Sequence, residues 1–221
     1  MEGLRNTLRQ SLSMLAYLTV PATVGLMALG VPVVRLLYER GRFSPDDTQG
    51  TAAALWFYSF GLVGYTGVKV LAPAFYALGR PRIPLLASVS AVATNLLLIW
   101  AFHPRFGFRA IALGTALGSL VNAGLLVGLF EKRVGGLFGH GLFRPIARMA
   151  AAAAAMGALA WLAAAGLERI VGARGLGAQL VTGLVPVVFG VAVYVLLTRA
   201  LRVGEADVLC RAVRDRLHPA R

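Results

Sequence analysis

The sequence predicts an all-α integral membrane protein with six transmembrane helices, and two observations carry this prediction. Of the 221 residues, 58% are hydrophobic and only 14% are charged, and the mean hydropathy is +0.73. Such a chain is far more apolar than a typical soluble domain. Six segments also contain the roughly 20 mostly apolar residues that a spanning helix needs. Because backbone amides in lipid must bond internally, these segments are expected to be helices.

The six predicted helices follow one another along the whole chain. They are apolar nearly all round, whereas a helix on the surface of a soluble protein keeps a polar face. Glycine, proline and charged residues cluster between them, as is typical of connectors. The helices are predicted near residues 14–38, 52–78, 84–103, 109–130, 147–166 and 178–198, and the connectors at residues 39–50, 79–84, 103–109, 131–145 and 168–177.

The distribution of basic residues predicts how the helices are oriented. The N-terminus, the second and fourth connectors and the C-terminal tail hold fourteen Lys and Arg, whereas the other three connectors hold six. The positive-inside rule therefore places both termini in the cytoplasm, and six spans require both ends on one side. The net charge of +13 then reflects topology and attraction to anionic lipid. Nucleic-acid binding is disfavoured, since the basic residues do not form a patch on a soluble face.

Signatures of catalysis and metal binding are absent from the sequence. It contains no phosphate-binding glycine loop, no H-E-x-x-H motif and no nucleophile elbow. His103, His140 and His218 are far apart, and Cys210 is the single cysteine. Clustered ligands are the usual sign of a metal site, so we expect no metal, no cofactor and no enzyme activity.

The second predicted helix carries a polar and aromatic stripe. Residues spaced by three or four fall on roughly one helical face, and here they are Tyr58, Gly61, Tyr65, Lys69, Pro73 and Tyr76. Lys69 lies toward the cytoplasmic end of the helix. It either snorkels to the membrane interface, forms a structural ion pair, or faces a wet cavity and meets an anionic substrate, which the tyrosines favour. Pro73 cannot donate to the carbonyl of Lys69, so we expect a kink or flexible joint there.

Asn95 and Asn122, in the third and fourth predicted helices, are further polar candidates. Each either hydrogen-bonds between helices or lines a cavity, and we prefer the former. The fourth helix also has a seam of small residues that includes G-T-A-L-G at 114–118. Such seams are usually helix-packing surfaces.

Arg35 lies near the outer end of the first predicted helix. We expect it to anchor at the interface or to pair with Glu39, Asp46 or Asp47. Anchoring is favoured because arginines at the ends of spans commonly snorkel, and contact with a substrate is the alternative.

Residues 36–84 resemble a known transporter family. They contain an E-R-G-x-F loop at 39–43, an alanine-rich helix start, K-V-L-A-P-x-F-Y-A at 69–77 and a next helix led by Pro84. This pattern is similar to that of the MurJ (MviN) lipid II flippases of the MOP exporter superfamily. The resemblance covers about residues 10–135, and beyond it two apolar helices agree in number and placement.

The resemblance implies a fourteen-helix transporter of the bacterial inner membrane. It would move lipid II, the lipid-linked peptidoglycan precursor, to the outer leaflet by alternating access. Our six helices would be the last six of fourteen, with residues 1–135 in the transporter core, 136–200 as two additional helices and 201–221 as a basic cytoplasmic tail. The additional pair would form a groove for the polyprenyl tail. The substrate cavity would be lined by Lys69, Tyr65 and Tyr58, with Asn95, Asn122 and Arg35 as weaker candidates and Pro73 as a hinge.

The first eight helices of the family, with its principal cavity arginines, have no counterpart in this sequence. The resemblance thus implies a truncated or split form, and a separate chain with the other helices would be a partner besides lipid II and membrane lipids. Two alternatives are an exporter of another lipid-linked oligosaccharide from the same superfamily and a non-transporting membrane fragment. A cation exporter should carry a carboxylate within a span, and all nine Asp and Glu lie at connectors, termini or span edges.

Overall fold

The protein, described here from a computed structural model, is all-helical over residues 2–135, 143–172 and 175–206, which are the residues that the structure describes. The helices are α1 (Glu2–Tyr38), α2 (Pro45–Ala77), α3 (Arg82–Phe106), α4 (Arg109–Arg133), α5 (Phe143–Val171) and α6 (Leu176–Ala200). The all-α prediction is confirmed, and the six predicted segments fall in these six helices in order. His140, Cys210, His218 and residues 207–221 of the predicted tail lie outside the described residues.

Five of the described helices are long and apolar enough to cross a membrane, namely α1, α3, α4, α5 and α6. The second helix is not among them, although its 33 residues would reach about 50 Å at about 1.5 Å per residue. Lys69 and the polar, aromatic stripe lower its hydropathy. The sequence prediction of six equivalent spans therefore treats α2 as more apolar than it is.

The first helix begins at Glu2 rather than near residue 14. Its early turns belong to the core, since Leu8 is buried in a cluster with Phe75 and Phe130, whose rings pack edge to face. Arg5 donates from Nη2 to the carbonyl of Val134, the residue that caps α4. A guanidinium at this position stabilises the negative end of the helix dipole. The early start of α1 is thus explained by contacts that the hydropathy pattern does not show.

The third connector is shorter than predicted. Helix α3 continues through Pro104 to Phe106 and α4 begins at Arg109, which leaves only Gly107 and Phe108 between them. Gly107 has a φ of +55°, a left-handed conformation that glycine adopts without steric cost. Only these two residues therefore project beyond the helices at this end of the α3–α4 hairpin.

The start of α2 is set by a capping box. Ser44 accepts a hydrogen bond from the backbone N–H of Asp47 at 3.2 Å, and the Asp47 carboxylate accepts from the backbone N–H of Ser44 at 2.9 Å. These bonds satisfy N–H groups that a helix start otherwise leaves free. The backbone and then the side-chain hydrogen bond from Ser44 hold the pKa of the Asp47 carboxyl below its usual value.

We expect S44A to destabilise the first turn of α2 by about 1 kcal/mol, the usual cost of losing such a cap. Amide hydrogen exchange near Asp47 should therefore accelerate. Because the pKa of Asp47 is lowered on folding, its contribution to the stability of the folded state is complete above the ordinary carboxyl pKa. That contribution is lost as the pH falls through the lowered pKa. S90A is the control, since Ser90 is an exposed serine that donates within α3. Equal exchange rates in S44A and the parent chain would contradict the prediction.

Helix α1 is the central element of the packing. It contacts α2, α5 and α6, while α4 lies against both α2 and α3. Among the described helices, α5 and α6 contact only each other and α1. The molecule thus consists of a group formed by α1–α4 and an α5–α6 pair attached along α1.

Close helix contacts are made by glycine. At Gly64 of α2, an added Cβ would lie 2.8 Å from the backbone of Ser119 and Leu120 in α4. At Gly118 in the predicted seam of α4, it would lie 2.8 Å from the carbonyl oxygen of Ala91 in α3. Small residues allow this approach, since helices in lipid associate mainly by van der Waals packing. The seam is thus a packing surface, as predicted.

Candidate functional site

The predicted stripe on α2 is largely exposed. Tyr58, Tyr65 and Tyr76 are 45%, 55% and 57% exposed, and Lys69 is exposed as well. The Nζ atom of Lys69 lies 4.6 Å from the ring centroid of Tyr65, within the range of a cation–π interaction. No carboxylate pairs with Lys69 in the part of the chain that the structure describes. The surface formed by these four side chains, the Lys69 face, therefore presents a cation without a counter-ion.

Gly61 and Pro73 are the two members of the stripe that do not belong to the Lys69 face. Gly61 is buried against α4, where an added Cβ would lie 2.7 Å from the Cα of Ala116. Pro73 is exposed, and α2 continues through it as one helix. The carbonyl of Lys69 nevertheless lacks its usual partner, because proline has no N–H. The backbone of α2 therefore lacks one hydrogen bond in the turn between Lys69 and Pro73.

The two asparagine candidates lie in the α3–α4 contact, away from the Lys69 face. Asn122 is 9% exposed and its Nδ2 donates to the Oγ of Ser88 at 3.5 Å. The Oδ1 of Asn95 lies 2.5 Å from the position of an added Cβ at Gly114. In both residues Oδ1 is buried without a hydrogen-bond partner among the described residues. The bond from Asn122 is the interhelical hydrogen bond preferred from the sequence, whereas for Asn95 the structure shows the interhelical position without a bond to its Oδ1.

Arg35 lies in the last turn of α1 and is held by two carboxylates. Its Nη1 donates to Oε1 of Glu168 at 2.7 Å, and its Nε lies 3.7 Å from Oε2 of Glu39. Glu39 also accepts a hydrogen bond from the Oγ1 of Thr48 at 2.6 Å. The pairing with Glu39 was predicted, but Asp47 instead caps α2. Glu168 was missed, because nothing in the sequence links residues 133 positions apart.

A second feature is an apolar groove between α1 and α6, floored by α5. Its volume is about 450 Å³ and its lining is almost entirely hydrophobic. The walls include Leu26 of α1 and Val187 of α6, and Met156 and Ala160 lie at its base. Apart from Tyr17 and Tyr194 at one end, no polar or motif residue marks it, so the residue pattern alone did not locate it. The resemblance implied a groove at the last two helices.

Two buried tyrosines close the end of this groove that is nearer the N-terminus of α1, which we call its inner end, the opposite end being the outer end. The hydroxyl of Tyr17 lies 3.1 Å from the Oγ1 of Thr198, and the hydroxyl of Tyr194 donates to the carbonyl of Tyr17 at 3.0 Å. Just beyond them, Ser13 donates to Glu205. Buried hydroxyls are costly unless they are bonded, so this network fixes α6 against α1. Sequence reasoning missed it because tyrosine within an apolar run has no periodic signal.

The described residues contain no group of three or more His, Cys, Asp or Glu that could hold a metal ion. Two features available for binding are a cationic, aromatic surface on α2 and an apolar groove along α1. The first suits an anionic group and the second suits an apolar chain. A tail fits the groove through dispersion and close contact, and an anion fits an unpaired lysine.

Comparison with known proteins identifies the family. The family model described as "Lipid II flippase MurJ" matches residues 2–173. A protein of Vibrio cholerae named "Probable lipid II flippase MurJ" is 33% identical over 162 residues, which cover 72% of this chain and 31% of the relative. "Lipid II flippase MurJ" of Thermosipho africanus is 29% identical over 126 residues, or 57% of this chain and 26% of the relative.

A solved structure agrees in fold. "Lipid II flippase MurJ, inward closed conformation" superposes with a TM-score of 0.75 at 20% sequence identity, over 90% of this chain and 39% of that one. The chain spans about a third of the length of the curated relatives it matches, with 31% and 36% of two of them covered. Because the family model covers most of the sequence, this chain belongs to the lipid II flippase MurJ family.

Proposed function

We propose that this chain forms the C-terminal part of a lipid II flippase, a transporter without covalent chemistry in the bacterial inner membrane. The observation that carries the proposal is the Lys69 face. An intramembrane cation is costly and marks a substrate site by default, and here the lysine has no counter-ion among the described residues. The pyrophosphate or acidic peptide of lipid II would supply the missing negative charge.

The groove would hold the polyprenyl tail of the same substrate. It is apolar along its length and open to the side, so a tail could remain in a hydrocarbon-like environment while the polar head crosses. Pro73 would allow the cytoplasmic end of α2 to bend as the cavity changes its access, because the Lys69 carbonyl lacks a bond there. Head and tail would thus be guided by different helices.

The exposed faces of α2 and α3 would be covered by further helices, since the matched region is only about a third of the relatives' length. Helix α3 has a wholly exposed apolar side that includes Leu86, Leu97 and Trp100. A separate chain or a longer form of this protein would supply that cover. The basic connectors support a cytoplasmic location for both termini. A lipid-linked oligosaccharide other than lipid II remains the second candidate, because it shares the same tail and pyrophosphate.

We expect the purified chain in lipid nanodiscs to bind lipid II in preference to phosphatidylglycerol, and A22W to weaken that binding. Ala22 lines the groove, so an indole there would occupy the space of the tail. The same change should weaken binding of an uncharged polyprenol of equal length. Binding is measured by native mass spectrometry or by fluorescence titration.

L162W is the matched control, since Leu162 is an exposed apolar residue of α5 outside the groove. Transport is tested in cells depleted of their own flippase, by supplying the chain together with the N-terminal part of the Vibrio cholerae relative. Growth with the parent chain and L162W, but not with A22W, is the expected result. The absence of any preference for lipid II over phosphatidylglycerol would overturn the proposal.

A further inference from the structure

The α5–α6 pair is attached to the rest of the described molecule only through α1. A close approach lies near the middle of α5, where a Cβ added to Gly157 would be 2.5 Å from Cγ1 of Val24. Helix α6 in turn packs on α5 through Gly190, which faces Met156 and Ala160. The two helices are therefore expected to move together, with the Val24–Gly157 contact as the fulcrum.

Hydrogen bonds tie the inner end of this pair to α1. They are the Tyr17–Thr198 contact and the bond from Tyr194 to the Tyr17 carbonyl, at 3.1 and 3.0 Å, together with the Ser13–Glu205 bond. All of them lie on the inner side of the fulcrum. The inner end of the groove is thus held by several independent contacts.

At the outer end, apolar packing in which Gly183 of α6 faces Leu36 of α1 is joined by one polar contact among the described residues. Within the described ranges, the 2.7 Å bond from Arg35 to Glu168 is the only hydrogen bond or ion pair between the outer half of α5–α6 and α1. The Arg35 side chain is 14% exposed, and Glu39, oriented by Thr48, gives it a second carboxylate. A guanidinium held between two carboxylates in this way has a fixed direction, which a single exposed pair would not provide.

We propose that Arg35 is a positioning residue that holds the outer end of the α5–α6 pair against α1 and so sets the width of the groove at that end. Its guanidinium is occupied by Glu39 and Glu168 and does not contact a substrate. We call the contact of Arg35 with Glu39 and Glu168 the clamp. It affects transport only if the groove holds the lipid tail, so its role in transport rests on the proposed function. The effect of the clamp on the width of the groove does not rest on that function.

The test measures the groove directly by distances between spin labels on the chain in lipid nanodiscs. Cys210 is first replaced by serine, which leaves no native thiol. One label pair is placed at the outer end, at the exposed Leu37 and Leu184, and another at the inner end, at the exposed Leu18 and Leu196. We expect R35Q to broaden the outer distance distribution and shift it to longer values, while the inner distribution stays unchanged.

Two further variants separate a clamp from general destabilisation. R35E combined with E168R reverses the pair and leaves Glu39 beside it, and it should restore the outer distances. R42Q is the matched control, because Arg42 lies in the connector that follows α1 and is exposed without an ion pair among the described residues.

The clamp would be refuted if R35Q left the outer distances unchanged, if it shifted both label pairs equally, or if the reversed pair failed to restore them. These distances are measured without lipid II. A failure of the proposed function would appear as lost lipid preference with intact distances, so the two failures are distinguishable.

Discussion

Replacing Lys69 with alanine is expected to weaken lipid II binding by roughly tenfold to a hundredfold, since a hydrogen bond to a charged group contributes about 1.5–3 kcal/mol. Binding of the uncharged polyprenol should be unchanged, because the groove is intact. Groove and head-group roles are thus separated by one experiment, as A22W weakens binding of both lipids. The measurement is a titration of each lipid into nanodiscs that contain the chain.

The control for Lys69 is the only other lysine of the chain, Lys132, which is exposed near the C-terminus of α4. K132A should bind both lipids as the parent chain does, and K69R should retain most of the binding because it keeps the charge. If K69A bound lipid II as tightly as K132A does, the lysine would simply be snorkelling to the interface. Growth of flippase-depleted cells with K69A would exclude a substrate role in transport.

The second large effect is expected at Gly64, where α2 and α4 meet. In G64A the new Cβ would lie 2.8 Å from backbone atoms of Ser119 and Leu120, so the helices must separate. Overpacking of this kind costs about 1–3 kcal/mol. We expect a lower thermal unfolding midpoint in detergent, measured by circular dichroism, even though alanine is otherwise the better helix former by about 1 kcal/mol.

Two glycines provide matched controls for this prediction. A Cβ at Gly67, on the same helix, would meet only Ala123 at an ordinary 3.5 Å, and a Cβ at Gly128 of α4 would meet nothing within 4 Å. G67A and G128A should therefore be as stable as the parent chain or more so. If G64A unfolded at the same temperature as G67A, the close α2–α4 contact would not be rigid. Because α4 also carries α3, loosening this contact should affect the whole α1–α4 group.

Much of the fold could be predicted because its signals are local. The length of an apolar run and the clustering of glycine, proline and charge located all six helices within a few residues, except at the starts of α1 and α2. Helical spacing also placed Tyr58, Tyr65 and Lys69 on one surface. The misplaced start of α1 has a tertiary cause, since its early turns are stabilised by the burial of Leu8 and by the bond from Arg5 to α4.

The candidate site could be predicted only in part. Lys69 stands out because a charge in an apolar run is conspicuous, and the pairing of Arg35 with Glu39 follows from their spacing of four residues on one helical path. Asn95 and Asn122 could not be assigned to a cavity or a contact until their neighbours were known. The groove was invisible in the residue pattern, because apolar residues that line it look the same as those that face lipid.

What the sequence by itself determined is the all-helical membrane fold, the order of its helices and the cationic, aromatic face of α2. Each follows from composition or from spacing within one helix. Only the tertiary structure decided that α1 is shared by two groups of helices, that Arg35 reaches Glu168, and that Tyr17, Tyr194 and Thr198 close the groove. The physical reason is that these helices are apolar nearly all round. Their sequences therefore do not specify which face turns inward, and the choice is made where glycine and alanine let two helices come close.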